Sequence, residues 1–61
     1  MTKDEFKAIR TERLGMTQID LAVALGTTQP TVSQIESGDR SVSAGMAARI
    51  EVLAAKKGVK P

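Results

Sequence analysis

The chain is predicted to be all-α, a compact bundle of four or five helices forming one domain over residues 1–61. Three observations predict it. Apolar residues recur at spacings of three and four along most of the length. Glycines at positions 15, 26, 38 and 58 stand after the periodic segments, where a helix ends most easily. Threonine or serine precedes each segment, where a helix start needs a side-chain oxygen. No internal repeat, low-complexity tract or linker divides the chain. Its 61 residues lie near the lower limit at which one apolar core outweighs chain entropy without disulfides or metal.

The first helix starts near Lys3. Thr2 and Glu5 make a capping box, in which hydroxyl and carboxylate each satisfy a backbone N–H that the helix leaves unpaired. Phe6 and Ile9, continued by Arg13 or Leu14, share one face, and Gly15 ends the helix. Phe6 is the one aromatic residue and is expected in the core, since base stacking uses several exposed rings.

The second helix is expected from Gln18 to Leu25. Thr17 caps it, Asp20 stands where it can complete a second box, and Met16 can staple against Leu21 across the cap. The third begins after a capping Thr28, with Pro30 in the first turn, where its missing N–H costs no intrahelical bond; it ends near Ser37 and Gly38. Asp39, Arg40 and Ser41 form a polar connection, and Ser41 or Ser43 caps the last helix. Met46, Ala47, Ile50, Leu53 and Ala54 give that helix a stripe running through Ala55, closed by Lys56, Lys57 and Gly58. A fifth helix would be a short turn within residues 41–45. Val59, Lys60 and Pro61 are expected to fray.

The middle of the chain, residues 18–37, organises the rest. Leu21 and Leu25 form one short apolar stripe and Val32 and Ile35 a second. Gly26 between them can take the left-handed conformation that a tight reversal needs. Ala22 is small where a helix folded back at roughly 90 to 120° leaves no room. These are the physical requirements of a helix-turn-helix.

On Thr17-Gln18, Leu21-Ala22, residues 25–29, Val32-Ser33, Ile35-Glu36 and Gly38, the stretch resembles the helix-turn-helix family of small phage repressors and Cro proteins. The family has bacterial relatives among transcription regulators and antitoxins. The resemblance covers roughly a third of the chain, from 17 to 38. It implies a lambda-repressor-like DNA-binding domain that regulates transcription, most simply as a Cro-like repressor, with the third helix in the major groove of double-stranded DNA. The residues then facing base edges are Thr27, Thr28, Gln29, Pro30, Thr31, Ser33, Gln34 and Ser37. Gln29 and Gln34 can donate and accept at once, as the N6–H and N7 of adenine require, and threonine methyls suit the thymine methyl. Away from such a motif, the same amides and hydroxyls are what any solvated helix face carries.

Gln18 opens the second helix, whose unpaired N–H groups and dipole favour a phosphate, and the matching glutamine of the family binds one. Arg40 resembles the family's loop residues that touch the DNA backbone. Arg10 and Arg13 are candidates for phosphate contact or for a salt bridge with Glu36. Pro30 departs from the closest phage relatives, which often carry a second base-reading amide there.

The inventory argues against catalysis. Without cysteine or histidine there is no disulfide, zinc finger, Cys or His nucleophile, or common haem ligand, and a serine nucleophile would lack an activating base. No calcium-loop motif appears, so no cofactor or metal is expected. No apolar run approaches the ~20 residues of a membrane span, and the polar N-terminus is unlike a signal sequence, so the expected location is cytoplasmic. A net charge of +2 and a pI near 9.4 are compatible with DNA binding without arguing strongly for it.

One such domain buries about 600 to 1,000 Å² on DNA, too little for a tightly held operator. The expected partner is therefore a near-palindromic operator occupied by two copies, paired weakly and mainly on DNA. Val42, Ala44 and Met46, with Val52 or Val59, could form the pairing patch, or could instead complete the core. A toxin partner, as for an antitoxin that represses its own operon, is the alternative; such proteins usually add a segment for the toxin.

Overall fold

The computed structural model describes residues 1–58, so the expected fraying of 59–61 and any pairing role for Val59 lie outside the described residues. It contains α1 (Lys3–Ala8), a π-helical turn (Ile9–Arg13), α2 (Gln18–Leu25), α3 (Gln29–Ser37) and α4 (Ala44–Gly58). There are thus four α-helices among the described residues. Residues 41–43 carry no helix, because Ser43 caps α4 directly: its hydroxyl accepts the Met46 N–H at 3.1 Å.

The Thr2–Glu5 capping box forms in both directions, at 3.1 and 2.9 Å. The helix then loosens rather than continuing to Gly15 as an α-helix. The Leu14 N–H bonds the carbonyl of Ile9, five residues back, at 2.9 Å. One extra residue in that turn moves the apolar register from position 13 to position 14. Leu14 is therefore buried at 4% exposure, and Arg13 is exposed. Gly15 follows at φ 62°, and the Met16 N–H reaches back to the carbonyl of Arg10 at 3.0 Å.

Thr17 caps α2 by accepting the Asp20 N–H at 3.1 Å. The second capping box is only half formed, since Asp20 returns no bond to Thr17. Aspartate is one methylene shorter than the glutamate that closes the first. At the turn Gly26 takes φ 73°, ψ 32°, and the Thr27 N–H closes on the carbonyl of Ala22 at 2.8 Å.

Thr28 occupies the cap position of α3 but makes no side-chain cap. Pro30, the second helical residue, has no N–H to offer, and that of Thr31, the third, is not taken by the Thr28 hydroxyl. The Thr28 hydroxyl instead pairs with that of Thr31 at 3.0 Å.

The helices close over one core. Phe6, Leu21, Leu25, Val32, Ile35 and Ile50 are almost wholly buried, joined by Leu14, Ala22 and Ala54, with Ile9, Met16, Val42, Met46 and Leu53 packed against them. The stripe of α4 stops at Ala54; Ala55 has turned out to solvent. Arg49 of α4 donates to the carbonyl of Leu25 at 2.9 Å and so covers the C-terminal end of α2.

Candidate nucleic-acid interface

The turn at residues 26–28 sets α3 across the N-terminal end of α2, and a chain of polar side chains ties the two together there. Gln29, the first residue of α3, donates its amide N–H to the side-chain oxygen of Gln18 at 2.7 Å. Gln18, the first residue of α2, donates in turn to Glu36 Oε1 at 3.1 Å. Glu36 receives both Nε and Nη2 of Arg10, the latter at 2.8 Å, and Arg10 Nη1 holds the carbonyl of Met16 at 2.9 Å. Of the two roles open to Arg10, the structure shows the salt bridge. Arg13, turned outward by the π-helical turn, makes no ion pair among the described residues.

The Arg10 and Glu36 side chains are 11% and 5% exposed. Burial alone would raise the Glu36 pKa. The hydrogen bonds from Arg10 and Gln18, with the charges of Arg10 and Lys7, outweigh it and hold the carboxyl below its ordinary value. Glu36 is thus an anion that only accepts hydrogen bonds.

Along α3 the candidate readers do not all share one surface. Thr28, Pro30, Gln34 and Ser37 are exposed, whereas Thr27, Gln29, Thr31 and Ser33 are half-buried, against the expectation that all eight lie open. Thr27 and Thr31 line a cleft of about 280 Å³ with Arg40, Ser41 and Met46, on the α4 side of the helix. Gln29 is partly covered because it leans onto Gln18. Toward the end of α3, Gln34 accepts from Arg40 Nε at 3.1 Å, so a candidate reader and a candidate phosphate contact lie side by side. The Ser37 hydroxyl bonds the carbonyl of Gln34 and the carboxylate of Asp39, at 3.0 and 3.1 Å.

Of the pairing candidates, Val42, just before α4, and Met46, in its first turn, pack against the core. Ala44 and Val52 are exposed. Sequence reasoning offered a salt bridge from Arg10 to Glu36 as one alternative but missed the bond from Gln18 that makes Glu36 the hub of the polar chain. Its partners Arg10 and Gln18 lie 26 and 18 residues away, beyond any helical spacing.

A family model described as helix-turn-helix matches residues 6–54, from the first buried side chain of the core to the last. The chain belongs to the helix-turn-helix family. Its type is XRE, the Cro/C1-like branch, and helix-turn-helix domains of this type are DNA-binding regulators rather than enzymes. No curated protein and no solved structure matches the chain. Among the described residues of this helix-turn-helix domain, no group of acidic side chains could hold a metal ion, and no helix is long and apolar enough to cross a membrane.

Proposed function

We propose that this domain is a Cro-like repressor that lays α3 in the major groove of a near-palindromic operator. The observation that carries this reading is the amide pair Gln29–Gln18. It couples the start of the recognition helix to the N-terminus of α2, where unpaired N–H groups and the helix dipole favour a phosphate. One residue is thereby set against a base edge and its neighbour against the DNA backbone.

Gln29, Ser33 and Gln34 are the principal base readers, with Thr27, Thr28 and Thr31 along the edge of the groove. Gln18, Arg40 and Arg13 take phosphates. Two copies bind with their recognition helices about 34 Å apart, one DNA turn. Ala44 and Val52, exposed on α4, are the part of the expected apolar patch left for that pairing. Selection of bound genomic fragments followed by a footprint tests the reading. A pseudo-palindromic site with half-sites one turn apart supports it, and protection without sequence preference refutes it.

A further inference from the structure

We infer that Glu36 is a positioning residue that selects adenine over guanine at the base pair met by Gln29, by fixing which atoms of that amide face the groove. The inference rests on the reading of Gln29 as a base contact. It starts from polarity. An ionised carboxylate has no proton to give, and both oxygens of Glu36 already receive Arg10. Gln18 can therefore approach Glu36 only through its NH₂, which turns its oxygen away, toward Gln29. Facing an oxygen, Gln29 can in turn present only its own NH₂, as the 2.7 Å bond shows.

The direction of every bond in the chain thus follows from the charge at its inner end. Reversing Gln18 would set its oxygen against a carboxylate whose side chain is 5% exposed, where water cannot relieve the clash. Gln29 keeps one N–H and one oxygen for the groove. Adenine offers there one acceptor, N7, and one donor, N6–H, and both are matched. Guanine offers two acceptors, N7 and O6, and would need two N–H groups where only one remains. No side chain but Gln29 touches the base in this scheme; Glu36 acts through Gln18.

Glutamine at position 36 can donate as well as accept, so it allows Gln18 and Gln29 to turn over together and to present both N–H groups outward. The experiment measures affinity for the selected operator and for the same duplex with A·T replaced by G·C. The pair replaced is the one whose preference disappears in Gln29→Ala. The intact domain is expected to favour adenine by about tenfold or more, and Glu36→Gln to bring the ratio to within about threefold, with preferences at other pairs kept. Gln18→Met, which cuts the chain but leaves the Arg10–Glu36 pair in place, is expected to do the same and covers the case in which Glu36→Gln fails to fold.

A ratio that stays near tenfold in Gln18→Met, or in folded Glu36→Gln, overturns the inference while leaving base reading by Gln29 intact. A preference for guanine at that pair in the intact domain also overturns it. If Gln29→Ala changes no preference at any pair, base reading by Gln29 itself is wrong and the inference falls with it.

Discussion

Arg10 and Glu36, 26 residues apart in sequence, meet in a two-pronged ion pair that joins the end of the first helical segment to α3. With side chains only 11% and 5% exposed, neither charge could be left alone without a large desolvation cost. Arg10→Met or Glu36→Leu alone should therefore destabilise the domain by about 2 to 4 kcal/mol. The double substitution Arg10→Met with Glu36→Leu should recover most of that loss, since neither charge then remains unpaired. Urea unfolding of the three variants checks this, and a double variant no more stable than the singles would refute it.

The same pair sets an acid dependence. The Glu36 pKa in the folded chain lies below its ordinary value of 4.5. The unfolded chain therefore binds the proton more readily, and stability should fall as pH drops below about 4.5, through the folded pKa. Above that window the contribution is fully present. Melting temperature against pH should show a shallower acid limb in Glu36→Gln than in the unaltered domain. Equal slopes would show that this carboxylate does not carry the effect. Glu5, also lowered by its bonds from Thr2, is fully exposed and serves as the comparison.

The loosened turn after α1 makes a further prediction. Leu14→Ala should cost about 2 to 4 kcal/mol, as a buried leucine does, and Arg13→Ala less than about 0.5. Equal effects at the two positions, read from denaturant midpoints, would contradict the register shift.

Gly26 lies at φ 73°, and among the described residues a Cβ there would meet only the Arg49 guanidinium, at an ordinary 3.7 Å. The penalty for a side chain is therefore one of backbone strain rather than crowding. Gly26→Val should destabilise by about 1 to 3 kcal/mol and Gly26→Asn by clearly less, because asparagine tolerates the left-handed region. Thermal melts of the two variants check the order, and a Val variant as stable as the Asn variant would contradict it.

The fold was legible in the sequence at most places where a local rule applied. Thr2 with Glu5, Gly26 and the Leu21–Leu25 and Val32–Ile35 stripes each encode a helix boundary or face within a few residues, and the structure follows them. The choice between Arg13 and Leu14 was not legible, because α and π turns differ by one residue and burial elsewhere decides between them. Nor was the polar chain at the site. Gln18 and Gln29 were recognisable singly, but their bond to each other and to Glu36 exists only once α3 is folded across α2. Thr28 shows the opposite case, a local rule not followed: its hydroxyl pairs with that of Thr31 instead of capping α3.

Base reading by α3 is tested by a titration of the domain against its selected operator and a scrambled duplex of equal length, at one fixed salt concentration. Operator binding is expected to be tighter by about a thousandfold or more. Gln29→Ala is expected to remove about 1 to 3 kcal/mol of that preference, whereas Arg40→Ala is expected to weaken both duplexes alike. Equal affinity of the unaltered domain for the two duplexes would contradict it.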